Sequence, residues 1–284
     1  MATKLSLGSF MLTKENLQKR VFTMTLFHDL LARAVLENTE ACEHILRTLT
    51  GIKTLRIKKN KTQYIISKLT SHNIIMDVLA EDADNKLYEI EIQKADDGIA
   101  HEKRMLYYAS TIINDYFFKG DQKYDSVPEL YIFYISKTDI WKLGKTCYPI
   151  LKFLGDTKTP YNDGLHMYYI NAEINDNSTV AQLMQYFKTA NANDFSQGKL
   201  SQCINKLKTT KEGLATMDDF SKMLYDAGIN DGRKEGVVEG KNEEKFATVK
   251  RMLKRGKSSL NEIAEDTELP LATIKKIQSE MQTA

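Results

Sequence analysis

Acidic and amide side chains alternate with apolar ones in the segment LYEIEIQ, which spans residues 87–93. Successive side chains of a β-strand point to opposite faces, so Glu89, Glu91 and Gln93 lie on one face and the intervening apolar side chains on the other. Two carboxylates and an amide are not expected on a face that packs against protein, because a buried charge is costly without a partner. The pattern therefore predicts that the polar face is either exposed to solvent or part of a functional site.

A second acid, Asp77, is predicted to face Glu91 across a hairpin. Asp77 interrupts the apolar segment NIIMDVLA, and the following sequence DADNK is typical of a hairpin turn. With the turn centred near Asp84, Asp77 lies opposite Glu91, and the Cβ atoms of such a pair are roughly 5 Å apart. Two carboxylates so close repel each other unless one is protonated or a cation lies between them. Oxygen ligands favour a hard cation, Mg²⁺ or Mn²⁺, over zinc.

Periodicity along the chain predicts the elements that position these acids. The predicted elements are helices over 14–50, three strand segments over 62–93, a helix over 99–118 with Asp96 or Asp97 as its N-cap, strands over 129–136 and 165–173, and helices thereafter. The strand at 129–136 is almost wholly apolar, as expected of a strand buried on both faces. This order indicates an α/β or α+β core with a helical annex.

Composition and cysteine usage restrict the class of protein. The chain has 284 residues, of which 42% are hydrophobic and 27% charged, a balance that excludes a disordered or fibrous chain. Its three cysteines are far apart, fit neither a disulfide framework nor a zinc site, and indicate a reducing compartment. No apolar run is long enough to span a membrane, and the first residues lack an apolar signal core. We expect a soluble, cytoplasmic protein without a membrane partner.

Basic residues form local clusters although the net charge is only +2. One cluster, between residues 51 and 70, includes Lys58, Lys59 and Lys61 and is either a solvated connection or a surface that binds nucleic-acid phosphates. Near the C terminus, two short helices around a turn at 268–270 are similar to a helix-turn-helix unit, whose second helix would present Lys275 and Lys276 to DNA. Short helix pairs also serve in packing or oligomerisation, so both interpretations of the tail stay open.

The motif of Asp77, a fourteen-residue step to Glu91, and then Gln93 resembles that of the PD-(D/E)XK nucleases. The longer segments resemble one branch of them, the recombination-promoting nuclease or putative transposase family. They are FHDLLARAVLENTEACEHILRTLTGI for the N-terminal helices, YEIEIQ with HEKRMLYYAS for the second-strand motif and its helix, YIFYIS for the core strand, and the glycine-periodic tail with its closing helix pair. The resemblance implies a restriction-endonuclease-like α/β core (helix, three-strand meander, helix, strand) with a C-terminal helical extension.

The resemblance also implies the metal ligands. Asp77 and Glu91 would bind the metal ion, Mg²⁺ or Mn²⁺, with the backbone carbonyl of Ile92 as a third ligand. Superfamily members often add a glutamate from the first helix, and Glu43 is our candidate, ahead of Glu40 and Glu37. Glu89 is expected to be a solvent-side neighbour of these ligands rather than one of them.

Gln93 and Arg104 are the other residues to which the resemblance assigns catalytic roles. Gln93 stands where the larger superfamily has lysine; it can orient a water or hold a phosphate oxygen, but it cannot act as a base. Arg104 matches a family arginine and would bind a phosphate in bidentate fashion, whereas the alternative is an ion pair with Asp97 or Glu102 on the helix surface.

The prediction from the sequence is thus a metal-dependent DNA endonuclease that acts in recombination or transposition. The alternative is a catalytically degenerate DNA-binding or assembly protein built on the same fold. The expected parts of the chain are a nuclease-like core over 1–210, a helical connector over 211–240, and a basic helix with a helix-turn-helix-like tail over 241–284. DNA is the expected partner, and a homodimer stays open.

Overall fold

The computed structural model describes residues 14–66, 74–93, 101–117 and 123–283. The predicted N-cap at Asp96 or Asp97 lies outside the described residues. The chain divides into two compact units, Met1–Ser221 and Lys222–Ala284. Each unit is described by itself below.

The described elements are nine α-helices and six strands, together with one turn of 3₁₀-helix at Tyr124–Ser126. The strands are β1 (Ile57–Ile66), β2 (Ile74–Asp82), β3 (Leu87–Gln93), β4 (Leu130–Ser136), β5 (Cys147–Pro149) and β6 (Leu165–Asn171). The helices are α1 (Lys14–Thr23), α2 (Asp29–Glu37), α3 (Thr39–Thr50), α4 (His101–Tyr116), α5 (Thr179–Lys188), α6 (Gly198–Thr209), α7 (Lys211–Arg255), α8 (Leu260–Thr267) and α9 (Leu271–Thr283). Among the helices of these described ranges, none combines the length and apolar character needed to span a bilayer.

The strands form one mixed sheet in the order β1-β2-β3-β4-β6-β5. The first three strands are an antiparallel meander, and β4 pairs in parallel with both β3 and β6. A parallel neighbour requires a crossover connection, and α4 lies between β3 and β4 in the chain. The predicted α/β class and the predicted order of helix, three-strand meander, helix and strand are confirmed.

Both faces of the sheet are covered. On one face, α4 packs Met105, Tyr108 and Ile112 against a cluster that includes Leu79 and Ile132. The residues that alternate with this cluster along β2 and β3 are fully buried as well, and the helices α2 and α3 pack against β1 and β2. A polar side chain in the middle of either face is therefore removed from water.

The structure differs from the predicted elements at two strands. Strand β1 begins at Ile57 rather than near Thr62, so Lys58, Lys59 and Lys61 of the predicted basic cluster lie on a strand and not on a connection. Strand β5 was not predicted, because three residues are too few to establish an alternating pattern.

The C-terminal unit has a small core of its own. Val249, Ile263, Ile274 and Ile277 are buried together, with contributions from the end of α7 and from both of the following helices. Helix α8 begins with a capping box between Ser259 and Glu262, and a short turn separates it from α9. One continuous helix, α7, covers the predicted connector and the basic segment that follows it.

Candidate active site

A tight turn fixes the register of β2 and β3. Asp82 Oδ1 accepts hydrogen bonds from the backbone N–H groups of Asp84 and Lys86, each at 2.9 Å, and Asn85 adopts a left-handed conformation with φ of 61°. Asn tolerates this region better than most residues, so the turn needs no glycine. In the resulting ladder Val78 lies opposite Ile90.

One residue beyond that pair, β2 carries Asp77 and β3 carries Glu91. Asp77 Oδ2 accepts a hydrogen bond of 2.6 Å from the backbone N–H of Ile92, so its carboxylate lies beside the residue next to Glu91. Leu79 lies opposite Glu89 and belongs to the cluster under α4. Since side chains two residues apart on a strand share a face, Asp77 and Glu91 lie on this same face. The structure therefore brings the two predicted metal ligands together on one face of the sheet.

Glu91 is held by two neighbours. Its Oε1 atom accepts a hydrogen bond of 2.6 Å from Gln93 Nε2 and forms an ion pair with Arg104 Nη2. Arg104 in turn donates to the Tyr108 hydroxyl from Nε at 3.4 Å and from Nη2 at 3.3 Å, and its guanidinium lies 5.4 Å from the centroid of the Tyr108 ring. Arg104 thus points into the site and is positioned by Tyr108, and its partner is a site carboxylate rather than an acid on the helix surface.

Glu89 is completely buried, so the expectation that it faces solvent is wrong. Its two carboxylate oxygens have no hydrogen-bond partner among the described residues. Strand alternation identified the face correctly, but it could not show that α4 covers this face. The sequence signal that could have included Glu89 in the site was its place on the same strand face as Glu91 and Gln93.

Burial and mutual repulsion favour the protonated forms of these acids. Burial raises the pKa of Glu91 to about 8, and Asp77 adds to the increase, while Arg104 and Gln93 oppose it. Burial also raises the pKa of Glu89 well above its usual range, and the charges of Glu91 and Asp77 raise it further, against the effect of Arg104. Without a cation, the site is therefore a place where negative charge is destabilised.

This destabilisation predicts a pH dependence of the metal-free fold. A carboxyl whose pKa is higher in the folded state than in the unfolded state stabilises the fold at low pH and loses that contribution as the pH rises. Between pH 5 and pH 8 we expect the Glu91 carboxyl alone to lower the free energy of unfolding in EDTA by roughly 2–4 kcal/mol. Urea denaturation across this range measures it, and Glu91→Gln should make the profile less steep, whereas Glu81→Gln, which removes a carboxylate outside the site, should not. An equally steep profile for Glu91→Gln would contradict the assignment.

The donor set fits a hard divalent cation. Its charged donors are carboxylate oxygens, the ligands that Mg²⁺ and Mn²⁺ prefer, and the two oxygens of Glu89 lack donors although they are buried. The side chains are not gathered around a common point: within the described ranges, no group of three or more His, Cys, Asp or Glu side chains has the arrangement of a preformed metal site. Cation binding would therefore require the Glu91 side chain to exchange Arg104 for the ion.

Glu43 lies elsewhere. Its Oε1 accepts the backbone N–H of Ile57 at 2.9 Å, and its other oxygen pairs with Arg47 and Arg56. Ile57 is five residues along β1 from Thr62, which lies opposite Val78, and this separation corresponds to about 16 Å along the strand. The structure thus gives Glu43 a role at the start of β1, and we do not include it among the metal ligands.

The two other helix acids also have partners of their own. Glu40 pairs with Lys199 at 3.2 Å. Glu37 accepts a hydrogen bond of 2.6 Å from the Thr62 hydroxyl, which lies opposite Val78 and therefore on the face away from Asp77. The register of a helix relative to a distant strand cannot be deduced from helical periodicity, which is why sequence reasoning could not choose among these acids.

The predicted DNA-binding lysines lie in two places. Lys58 and Lys59 both pair with Glu81, at 3.1 and 3.7 Å. Lys61 is exposed and lies opposite Leu79, two residues from Asp77 along β2 and on the same face of the sheet. On the C-terminal unit, the side chains of Lys275 and Lys276 are exposed on α9.

A buried tyrosine–histidine pair borders the site and was missed from the sequence. Tyr134 lies opposite Glu91 in the parallel pairing of β3 and β4, and its hydroxyl is 2.8 Å from His101 Nδ1. The nearly apolar sequence of β4 predicted the burial of Tyr134, but its partner belongs to a helix and is distant in the chain. His101 and Tyr134 support the first turn of α4, from which Arg104 reaches Glu91.

Comparison with known proteins agrees with this geometry. The family described as PD-(D/E)XK nuclease family transposase has a sequence model that matches residues 34–227, a range that contains every strand of the sheet as well as Asp77, Glu91 and Arg104. No curated protein and no solved structure gives a match. Since the matched residues are more than half of the chain, the chain belongs to the PD-(D/E)XK nuclease family transposases.

Proposed function

We propose that this protein is a Mg²⁺- or Mn²⁺-dependent endonuclease that hydrolyses phosphodiester bonds of DNA in recombination or transposition. One observation carries the proposal: Asp77 and Glu91 lie side by side on a covered face of the sheet, with Asp77 hydrogen-bonded to the N–H of Ile92. Family membership supports a nuclease role for this pair. The donor set supports a hard divalent cation as the cofactor.

In the proposed mechanism, Asp77 and Glu91 would hold the cation, and the carbonyl of Ile92 would be a further ligand. When bound, such an ion activates a water for attack on phosphorus and stabilises charge on the leaving oxygen. Gln93 carries an amide that can orient the attacking water or hold a phosphate oxygen, but it supplies neither a base nor a positive charge. Arg104, released from Glu91, supplies the positive charge that binds the scissile phosphate.

Cleavage of a closed circular plasmid tests this function. The substrate has no ends, so nicking or linearisation reports an endonuclease and not an exonuclease. We expect wild-type protein to convert supercoiled plasmid to nicked or linear forms with Mg²⁺ or Mn²⁺ and not with EDTA. Circular RNA in the same assay measures the preference for DNA. The proposal fails if no cleavage of DNA occurs with either metal.

A catalytically degenerate DNA-binding or assembly protein is the second candidate. Two observations favour it: Gln93 occupies the usual lysine position, and Glu91 already has an ion pair with Arg104. This candidate predicts DNA binding without metal-dependent cleavage, and its binding should be the same in Mg²⁺ and in EDTA. The plasmid assay combined with a binding assay separates the two functions.

The exposed lysines of α9 are proposed DNA contacts, together with Lys61 near the site. Each phosphate contact steepens the salt dependence of binding by about one unit in a plot of log affinity against log salt. The double variant Lys275→Gln/Lys276→Gln should lower this slope by about 2. A matched double variant, Lys152→Gln/Lys199→Gln, removes two surface lysines that are paired with acids and should leave it unchanged. Equal slopes for both variants would argue for a packing role of the tail.

A cytoplasmic location is part of the proposal. Cys42, Cys147 and Cys203 are all free thiols, as expected in a reducing compartment. Burial raises the pKa of Cys42 to about 12 and that of Cys147 to about 11, so these two thiols resist ionisation and oxidation.

A further inference from the structure

Glu89 has no role in the mechanism proposed above, although burying its carboxylate is unfavourable. The side chain is completely buried, and neither carboxylate oxygen has a hydrogen-bond donor among the described residues. A buried ionisable group without partners costs several kcal/mol in general, so such groups are rare unless another charge compensates them. An explanation must come from what lies around it.

Apolar residues form the walls around Glu89. It lies opposite Leu79 on β2 and opposite Ile132 on β4, and both of these belong to the buried cluster under α4. The charged groups that act on it are Asp77, Glu91 and Arg104, which are the groups of the site itself. Compensation for its charge must therefore come from within the site.

The charges of the site are unbalanced in a specific way. In the fully ionised state that cation binding requires, Asp77, Glu89 and Glu91 carry three negative charges and Arg104 carries one positive charge. The difference is two negative charges, which equals the charge of one divalent cation. A lysine at position 93 would have reduced this difference, but Gln93 is neutral.

We propose that Glu89 is a third carboxylate ligand of the divalent-cation site, binding Mg²⁺ or Mn²⁺ from its buried side together with Glu91. Binding requires these side chains to close on the ion, because within the described ranges the acids are not arranged as a preformed metal site. This inference rests on the proposed function, because it places the ion at the same acids. Alternation puts Glu89 and Glu91 on one face of β3, two residues apart, so both side chains point into the same space under α4. Asp77 is only partly buried and approaches from the more open side.

Calorimetric titration of the full chain with Mn²⁺ alone tests the proposal. We expect Glu89→Gln to weaken Mn²⁺ binding by at least about 10-fold, a loss that removal of residues supporting a metal site commonly causes. The matched control is Glu81→Gln on the neighbouring strand, whose carboxylate pairs with Lys58 and Lys59, and it should bind Mn²⁺ like wild type. Glu91→Gln should abolish measurable binding.

Thermal unfolding gives a second measurement, in which Glu89→Gln should stabilise the metal-free protein although it weakens Mn²⁺ binding. Because Glu89→Gln removes a buried carboxylate that lacks partners, the metal-free variant should melt at a higher temperature than wild type at pH 8. Added Mn²⁺ should raise the melting temperature of wild type more than that of the variant, because at a given ligand concentration a tighter-binding protein is stabilised more. A purely structural role for Glu89 would give a lower melting temperature and an unchanged response to Mn²⁺.

The outcomes separate this inference from the proposed function. If Glu89→Gln binds Mn²⁺ as tightly as wild type while Glu91→Gln does not bind it, Glu89 is not a ligand and the function of Asp77 and Glu91 stands. If wild type itself binds no Mn²⁺, both the inference and the proposed function are overturned. The expected result is weakened binding by Glu89→Gln and no measurable binding by Glu91→Gln, with Glu81→Gln unaffected.

Discussion

Glu91→Gln is expected to lower the rate of metal-dependent plasmid cleavage by about 10³-fold or more, and Asp77→Asn by a similar factor. Each substitution keeps the shape of the side chain but removes one charged oxygen ligand from a site that has few others. A 10³-fold loss corresponds to about 4 kcal/mol of transition-state stabilisation, a reasonable amount for a metal that both activates water and neutralises the leaving oxygen. Initial nicking rates at saturating Mg²⁺ measure it.

The control for these variants is Glu81→Gln on the same strand as Asp77, whose carboxylate pairs with Lys58 and Lys59. It should cleave at a rate within about twofold of wild type, since Glu81 is not among the residues proposed to bind the cation or the scissile phosphate. Circular dichroism and melting curves should show that all the variants fold. Cleavage by Glu91→Gln and Asp77→Asn at the wild-type rate would show that another group performs the reaction.

Lys208→Met is expected to destabilise the N-terminal unit by about 3 kcal/mol. Lys208 on α6 is completely buried, and its Nζ donates to the carbonyl oxygens of Met24 at 2.6 Å and Ala190 at 2.9 Å, with Phe22 at 3.4 Å. These carbonyls lie at the C-terminal ends of α1 and α5, where a positive charge is favourable. Methionine fills a similar volume but leaves the carbonyls without this donor.

Urea denaturation of Lys208→Met and of Lys206→Met provides the comparison. Lys206 is exposed on the same helix, and its replacement should change the free energy of unfolding by less than about 0.5 kcal/mol. Burial lowers the pKa of Lys208 to about 8, so the ammonium form still predominates at pH 7, where the measurement is made. A Lys208→Met protein as stable as wild type would mean that the three carbonyls find other donors, contrary to this account.

The register of the acids was the part of the site that sequence reasoning reached most directly. Turn residues and alternation are local, and the hairpin around Asp84 gave the opposition of Asp77 and Glu91 that the ladder indicates. The burial of Glu89 was not accessible in this way, because α4, which covers it, is joined to β3 by a connection whose path no local pattern predicts. The ion pair between Arg104 and Glu91 was not foreseen for the same reason, because Arg104 also belongs to α4.

Other differences have equally specific causes. Strand β1 was predicted to begin too late because its first residues are lysines, which are depleted in strands in general but protect an exposed sheet edge. The position of Glu43 depended on which turn of a helix faces the sheet, and three acids of two adjoining helices were compatible with the same periodicity. The helix pair of the tail, in contrast, was recognisable from its turn at 268–270, which is a local signal.

The position of a bound cation tests the central claim most directly. Crystals of the full chain soaked in Mn²⁺ and measured at an anomalous wavelength would locate the ion without relying on activity. This account predicts an anomalous peak within about 2.0–2.4 Å of carboxylate oxygens of both Asp77 and Glu91, with Arg104 displaced from Glu91. A peak at other residues only, or an Arg104–Glu91 ion pair that persists at saturating Mn²⁺, would contradict it.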